Sequence, residues 1–417
     1  MAFEALPHVS YAELLAELAS ELDARPDQRL ELWWSEVETF ACSRCGMGCR
    51  RPWQVQVSQS YVRQWAQPLS ELTGLAVSEI FVPLPEADTQ AWAHLGKKPG
   101  SEECVLLDAE GLCTLHRRWG ASAKPEVCQY YPYTGLQSAS AYNSPALALS
   151  CTRAARMLSE PQRLCFRFIP DQAGSRLQAV GLTSERQLNR SAWLLWTGHL
   201  LDGLTMAGGF SAWLGSMLAA LQRLLDLPFE LLRPDDLEPL EPLPAAPALA
   251  PDARADLFAW LGRTVLGPGS GLEAILPWCL RVALDQELPR LTPAESETLE
   301  SYLRAYWLRQ LLLPAQLLRG ELNLVQQMLV TGIQGTLIRL WALYLRDLGG
   351  GPLSPEYLAE AANQVYLLVV RDQVPGSQRS WRRLETDACL SRLEQLARWR
   401  ELIFAPAEPA LPAEALR

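Results

Sequence analysis

The sequence predicts a mainly α protein, in which a helical body carries a small, irregular, cysteine-rich metal-binding domain with a few short strands. Three observations support this fold class. After residue 155, apolar residues recur mostly at three- and four-residue spacing, which is the period of an amphipathic helix. Before that point several short runs alternate between polar and apolar residues, as strands do. Seven of the 10 cysteines lie between residues 42 and 151.

The composition is that of a globular protein. Of its 417 residues, 49% are hydrophobic and 20% are charged, and the formal net charge is −10. This charge argues against general nucleic-acid binding, which uses basic surfaces, and is compatible with a basic protein partner. The N-terminus lacks the basic start and apolar core of a secretory signal. We therefore expect a cytoplasmic protein with reduced thiols.

The elements before and around the first cysteines are predicted from short patterns. A stripe of leucines predicts a helix over residues 10–24, with Ser10 as its cap. Residues 30–40 favour a strand that leads into the cysteines. Alternation predicts a short strand at 54–58, and residues 60–72 favour a helix. The proline- and glycine-containing residues 73–103 are predicted as a loop-rich insert.

The remainder of the chain is predicted to be helical, with one break. Residues 233–252 are acidic and rich in proline, which favours an extended linker. The helices predicted after it cover residues 299–313, 315–348, 355–370 and 380–403. The expected domains are an N-terminal helix and lead-in (1–39), a cysteine-cluster metal-binding domain (40–156), a helical segment (157–232), the linker (233–252), a C-terminal helical domain (253–404) and a disordered tail (405–417).

Two features have an alternative functional interpretation that their sequence context disfavours. Residues 191–227 are apolar enough to suggest a membrane span, but glycines interrupt them, so we predict buried helices. The glycines after Asp347 are similar to the first motif of common methyltransferases, which follows a strand. Here they follow a predicted helix, so we predict a helix C-cap instead.

Three thiols lie close together at the start of the cysteine-rich region. Cys42, Cys45 and Cys49 have the spacing Cys-x2-Cys-x3-Cys, and such a turn brings thiols close enough to share a metal. Zinc and iron–sulfur clusters both accept thiolates, so the spacing alone distinguishes neither. The alternatives are a disulfide with a spare thiol, which a reducing cytosol disfavours, or ordinary buried cysteines.

Four further cysteines extend the candidate site. A turn-like segment at residues 108–111 predicts a hairpin that brings Cys104 and Cys113 near each other. His116 is a weaker candidate ligand because it lies three residues after a thiol. The predicted metal ligands are Cys42, Cys45, Cys49, Cys104, Cys113, Cys128 and Cys151. The remaining thiols, in apolar settings typical of packing, are Cys165, Cys279 and Cys389.

Four blocks in this order carry a family resemblance. They are Cys-x2-Cys-x3-Cys-x3-Trp ending at Trp53, the block from Cys104 to Cys113, Pro-x2-Cys-x2-Tyr-Pro around Cys128, and Leu-Ser-Cys ending at Cys151. Over about residues 40–156 the chain resembles the YkgJ-type cysteine-cluster family, described as zinc- or iron-chelating. Within that family it is most similar to the FliB-type flagellin lysine N-methylases. The family usually ends its first block with two adjacent cysteines, whereas here Cys49 is flanked by non-cysteine residues.

The resemblance implies a protein-lysine N-methyltransferase that uses S-adenosylmethionine. It also implies an iron–sulfur cluster, of the 4Fe-4S type, or zinc as the metal, and flagellin or another lysine-bearing protein as the partner. A non-catalytic zinc- or iron-chelating protein in metal handling or redox sensing, and a metal-stapled scaffold, remain as alternatives. The residues alone assign no catalytic group and no cofactor loop. The candidates to surround a reacting amine are Trp53, Tyr130, Tyr131 and Tyr133, and Arg50 is a candidate partner for a carboxylate or else a solvated surface residue.

Overall fold

Helices make up most of the described structure, which confirms the mainly α prediction. The computed structural model describes residues 3–4, 10–25, 27–50, 53–134, 142–170, 179–183, 185–206, 210–237, 291–312 and 323–371. The α-helices are α1 (Tyr11–Ala24), α2 (Glu36–Thr39), α3 (Gln59–Thr73), α4 (Val77–Ile80), α5 (Thr114–Trp119), α6 (Glu126–Tyr130), α7 (Thr152–Met157), α8 (Arg190–Met206), α9 (Phe210–Asp226), α10 (Pro293–Leu312), α11 (Leu324–Gly349) and α12 (Pro355–Arg371).

The strands are short and scattered along the first half of the chain. They are β1 (Phe3–Glu4), β2 (Gln28–Trp34), β3 (Gln56–Val57), β4 (Phe81–Pro83), β5 (Ala93–Leu95), β6 (Tyr133–Thr134), β7 (Tyr142–Asn143), β8 (Ala146–Leu147), β9 (Leu164–Pro170), β10 (Ala179–Gly181), β11 (Gln187–Asn189) and β12 (Leu231–Leu232). Single 3-10 turns occur at Met47–Arg50, Ala121–Ala123 and Pro234–Asp236.

The chain divides into two compact units that are not continuous in sequence. One, the helical unit, comprises Met1–Val37, Gly135–Ala146 and Ala155–Arg417. The other, the cysteine unit, comprises Glu38–Thr134 and Leu147–Ala154. The chain therefore leaves the cysteine unit after Thr134 and returns to it for eight residues.

The helical unit contains two small sheets. In the larger one the strand order is β1-β9-β2-β7, and β2 runs antiparallel to β9 from Gln28↔Pro170 to Trp34↔Leu164 and parallel to β7. Most of β2 is buried. The smaller sheet has the order β10-β11-β12. These strands give the unit a minor β component beside its helices.

Helix α1 lies close against α8. A Cβ built on Gly198 of α8 would lie only 2.5 Å from the Ala12 Cα, so the contact requires glycine. One turn further along α8, the Asp202 carboxylate accepts hydrogen bonds from the Tyr11 and Ala12 amides at 2.7 and 3.0 Å and from the Ser10 hydroxyl. Because the first amides of a helix have no partner within the helix, this carboxylate helps to fix where α1 begins.

Tryptophans form the centre of the helical unit. The fully buried ones are Trp193, Trp196, Trp213 and Trp307. The rings of Trp213 and Trp307 meet edge to face, with centroids 5.2 Å apart, and the Trp213 indole N–H donates to the Leu200 carbonyl at 2.9 Å. Aromatic pairs of this kind add about 0.5–1.5 kcal/mol beyond the area they bury. This packing joins α8, α9 and α10.

A small apolar core supports the cysteine unit. Strands β3, β5 and β4 form an antiparallel sheet, and the core includes residues from this sheet and from α3. Its buried members are Val57, Leu69, Ile80, Phe81, Ala93, Leu95, Leu106, Leu115 and Ala123. The Tyr61 hydroxyl donates to the Ala123 carbonyl at 2.7 Å, which ties α3 to the segment before α6.

Several predicted elements are confirmed. Helix α1 occupies the predicted residues 10–24, and the Glu13 amide donates to the Ser10 hydroxyl at 3.3 Å. Helices α3 and α12 match the predicted helices at 60–72 and 355–370. The apolar residues 191–227 form α8 and α9, whose core positions are buried.

Other predictions need correction. The strand expected over residues 30–40 ends at Trp34 and is followed by the short helix α2. The expected loop-rich insert at 73–103 contains α4, β4 and β5. The chain after residue 155 is not purely helical, because β9, β10 and β11 precede α8. The phenylalanine and isoleucine residues of β9 favour a strand. The prediction missed it because it extended the helical pattern of the later segments back to residue 155.

Helix α11, with 26 residues, is the longest described helix. It is the one helix in the described part of the chain long and apolar enough to cross a membrane, and 78% of its most apolar window is buried within the protein. It ends at Gly350, whose φ is 67° and whose amide donates to the Arg346 carbonyl at 2.9 Å. The glycines after Asp347 are therefore a helix C-cap, as predicted.

Some predictions fall on residues outside the described structure. These are the helix at 380–403, the tail at 405–417, most of the linker at 233–252, the first residues of the helix predicted at 315–348, and Cys279 and Cys389. At the start of the linker, residues Pro234–Asp236 form a 3-10 turn rather than extended chain.

Candidate metal centre

All seven predicted ligand cysteines lie in the cysteine unit. Six belong to its main segment, Glu38–Thr134, and Cys151 belongs to the returning segment, Leu147–Ala154. None of the eight cysteines that the structure describes forms a disulfide. Cys165, the eighth, is buried on β9 in the helical unit, which agrees with its prediction as a packing residue.

The first cysteine block is an irregular loop that ends in a 3-10 turn. Cys42 and Cys45 are exposed, whereas Cys49 is partly buried in the turn Met47–Arg50. The Cys49 amide donates to the Gly46 carbonyl at 2.9 Å. Gly46 has a φ of +65°, and a Cβ there would lie 2.2 Å from the Gly111 carbonyl oxygen. Glycine at this position therefore lets the first block lie directly on the segment that leads to Cys113.

The predicted hairpin between Cys104 and Cys113 is present only as a tight turn. The Asp108 carboxylate accepts from the Glu110 and Leu112 amides, both at 2.9 Å, and these bonds shape the turn. Isolated bridges pair Leu107 with Cys113 and Lys97 with Cys104, so the two thiols are not cross-strand partners.

The same segment is joined to the first block through its backbone. The Cys104 amide donates to the Cys49 carbonyl at 2.7 Å, and the Leu107 amide donates to the Cys104 carbonyl at 3.0 Å. Since Leu107 is in turn the bridge partner of Cys113, three cysteines are connected by adjacent backbone bonds. The backbone therefore brings Cys104 and Cys113 near each other, as the sequence predicted, and places Cys49 beside Cys104.

The last two candidate ligands come from α6 and from the start of α7. Cys128 lies on α6, and Cys151 immediately precedes α7. The Ala148 amide donates to the Pro132 carbonyl at 2.6 Å, and the Cys151 amide donates to the Ala148 carbonyl at 3.0 Å. These bonds anchor the returning segment beside the residues that follow Cys128.

Burial and neighbouring thiols raise the pKa of several of these cysteines. Burial, followed by the neighbouring thiols, raises the pKa of Cys49 and of Cys128 to about 12 each, and burial also raises the pKa of Cys104. Cys104 and Cys113 are among the neighbouring thiols that raise the pKa of both Cys49 and Cys128. Burial raises the pKa of Cys151 as well, with smaller contributions from Cys45 and Cys42.

Positive charges and amide donors accompany the thiols. Lys124 and Lys97 lower the pKa of Cys49 against the effect of burial. The Arg153 and Ala154 amides donate to the Cys151 sulfur, and the Arg44 amide donates to the Cys42 sulfur at 3.4 Å. Amide donors and cations both favour the thiolate, which is the form that binds metal. The prediction of residues 73–103 as a loop-rich insert did not reveal this effect of Lys97.

The donor set fits a thiolate metal centre in its chemistry. Crowded, buried thiols are held neutral by burial and mutual repulsion, and a bound cation reverses both effects. Among the described residues, however, no group of three or more cysteine, histidine or carboxylate side chains is already arranged to hold a metal ion. Metal binding would therefore require the thiol side chains to move together.

The second cysteine of the family pattern has no room at position 48, and position 50 holds an arginine with a structural role. A Cβ on Gly48 would lie 2.8 Å from the Tyr131 ring. Arg50 forms an ion pair with Glu103 at 3.1 Å and donates to the Cys45 carbonyl at 2.9 Å. Arg50 thus braces the first block and is not a free surface residue. Its contact with the carboxylate of a ligand stays a prediction.

The aromatic candidates are mainly packing residues. Trp53 donates from its indole N–H to the Gly48 carbonyl at 2.7 Å and meets Tyr131 edge to face at 5.3 Å. Tyr133 packs against Phe40 at 5.8 Å. Tyr130 is 52% exposed. His116, the weaker candidate ligand, lies exposed on α5.

Comparison of the chain with protein-family models, with curated proteins and with solved structures finds no match. The resemblance to the cysteine-cluster family therefore stays a prediction.

Proposed function

We propose that the cysteine unit binds a metal ion or an iron–sulfur cluster through thiolates. The observation that carries this proposal is the path of the chain, which leaves the unit after Thr134 and returns to add Cys151 to six other free thiols. A single buried thiol adds little folding stability to a unit of this size, whereas several thiolates around one cation bind that cation tightly.

Metal analysis of protein purified without oxygen tests this proposal. We expect either stoichiometric zinc in a colourless protein or iron and sulfide in a brown one. The metal should be lost in the Cys128→Ser variant and retained in Cys165→Ser, because Cys165 lies on β9 outside the cysteine unit. A wild-type protein that contains neither metal and binds neither on reconstitution contradicts the proposal.

At a finer level, we propose that the chain is a protein-lysine N-methyltransferase that uses S-adenosylmethionine in the cytoplasm. Support comes from the ordered cysteine blocks and Trp53, which resemble those of the flagellin methylases. Methyl transfer requires a neutral lysine amine, and a dry or positively charged site lowers the pKa of that amine. The cations Lys97 and Lys124 beside the thiols supply positive charge of this kind.

Labelling in a lysate tests methyl transfer separately from metal binding. Metal-loaded protein is incubated with labelled S-adenosylmethionine and a lysate of its own host, followed by mass spectrometry. We expect labelled lysine on one or a few proteins, with loss of the label in Cys151→Ser and retention in Cys165→Ser. If the fully loaded protein binds no donor and labels no lysine, the non-catalytic chelating function replaces the enzymatic one.

A further inference from the structure

We propose that the helical unit binds a buried water molecule in a polar cavity between α8, α10 and α11. The water donates a hydrogen bond to the side-chain carbonyl oxygen of Gln327 and joins the polar side chains that line the cavity. This hydration site lies outside the cysteine unit, and the inference does not depend on the proposed metal binding.

The cavity has the size and the lining that a buried water requires. Two tryptophans, Trp193 of α8 and Trp307 of α10, lie in its apolar wall. Its polar side chains are those of Gln310 on α10 and of Gln327 and Thr331 on α11. The space between them is large enough for about one water molecule. Cavities with purely apolar walls stay dry, whereas a polar cavity of this size holds water.

The hydrogen bonds of Thr331 fix the orientation of the Gln327 amide. The Thr331 hydroxyl donates its proton to the main-chain carbonyl of Gln327 at 2.9 Å. It can therefore only accept from the Gln327 side chain, whose amide nitrogen lies 3.5 Å from the hydroxyl oxygen. Because the amide nitrogen faces Thr331, the amide oxygen faces away from it and needs another donor.

No described protein group supplies that donor. Gln327 is 6% exposed, and its Oε1 has no hydrogen-bond partner among the described residues. Gln310, the remaining polar side chain of the wall, does not donate to it. A buried carbonyl oxygen without a donor destabilises the folded state, so nearly all such groups are paired with protein or with ordered water. A water in the adjoining cavity is the donor that the geometry provides.

The water has polar partners on two helices. Besides Oε1 of Gln327, it contacts the Gln310 amide of α10 and the Thr331 hydroxyl, whose oxygen has a second lone pair. This set matches the average of about three hydrogen bonds that a buried water makes. The water therefore links α10 to α11 at a polar point of the tryptophan-rich core.

Magnetic relaxation dispersion of water tests the proposal on the full-length chain, because it counts the buried waters that exchange slowly with solvent. The wild type should contain about one more such water than Gln327→Met, whose side chain is of similar length but has no carbonyl oxygen. The midpoint of chemical denaturation should be no higher in this variant than in the wild type. In a dry cavity the midpoint would rise instead, because the substitution would remove an unpaired buried acceptor.

A matched pair of threonine variants provides the control. The hydroxyls of Thr331 and Thr336 are both buried on α11, and each donates to the carbonyl four residues earlier, at 2.9 and 2.8 Å. Of the two, only Thr331 lines the cavity. Thr331→Val should therefore lose the water, and Thr336→Val should keep it.

Two outcomes overturn the proposal. One is an equal number of buried waters in the wild type, Gln327→Met and Thr331→Val. The other is a denaturation midpoint of Gln327→Met above that of the wild type. If Gln327→Met folds poorly, the comparison of Thr331→Val with Thr336→Val decides the question alone.

Discussion

Replacement of Arg309 by methionine is expected to cost about 3–5 kcal/mol of folding stability at neutral pH. Arg309 on α10 and Glu36 on α2 form an ion pair at 3.1 Å, and each side chain is only 2% exposed. Removing the arginine leaves a buried carboxylate without its cation. The measurement is chemical denaturation, followed through the fluorescence of the buried tryptophans of the helical unit.

The cost of Arg309→Met should grow with pH. Burial raises the pKa of Glu36 and Arg309 lowers it, so the pKa rises further when the arginine is removed. A carboxyl with a raised pKa in the folded state contributes stability at low pH that is lost as the pH rises through that pKa. The free energy of unfolding of the variant should therefore lie closer to that of the wild type at about pH 5 than at about pH 8.

A second substitution identifies the cause of this loss. Glu36→Gln in the Arg309→Met background removes the buried charge. It should recover most of the lost stability and abolish the pH dependence of the difference from the wild type. Glu36→Gln alone should be destabilising, because it leaves Arg309 buried without an anion. If Arg309→Met is as stable as the wild type across this pH range, the ion pair is not important for folding.

Local patterns in the sequence predicted the helices well. The period and caps of α1, α3 and α12 are properties of consecutive residues, so they are visible without the fold. The strands β10 and β11 were missed because each has only three residues, and β9, with seven residues, was missed because its buried and exposed positions do not alternate regularly. A strand of a few residues depends on a partner distant in sequence, and single-segment patterns do not contain that partner.

The candidate site was predictable as a set of residues but not as an arrangement. The spacing of the first block and the later cysteine blocks named all seven thiols. Their arrangement depends on the return of the chain after residue 146 and on the Tyr131 ring that packs on Gly48. The brace formed by Arg50 depends on Glu103, which lies in a separate turn. Contacts between residues that are distant in sequence cannot be predicted from local sequence patterns.

Removal of the proposed metal is expected to unfold much of the cysteine unit while the helical unit keeps its structure. Structural zinc supplies about 10–16 kcal/mol of apparent binding free energy in zinc-finger peptides, and that energy is folding energy when the unfolded chain has no site. The apolar core of the cysteine unit is small, with nine buried members. Without a bound cation, its buried thiols contribute little to folding stability, because burial favours their neutral, protonated form.

Hydrogen exchange measures this effect in each unit of the intact chain. The metal is removed with a strong chelator in the presence of a reductant, or by mild oxidation if the centre is a cluster. Peptides from residues 54–134 should lose most of their protection, whereas peptides from α8 and α11 should keep it. Cys165→Ser should behave as the wild type does. Full loss of the metal with unchanged protection in residues 54–134 would show that the apolar core alone folds the unit, and the thiols would then serve chemistry rather than stability.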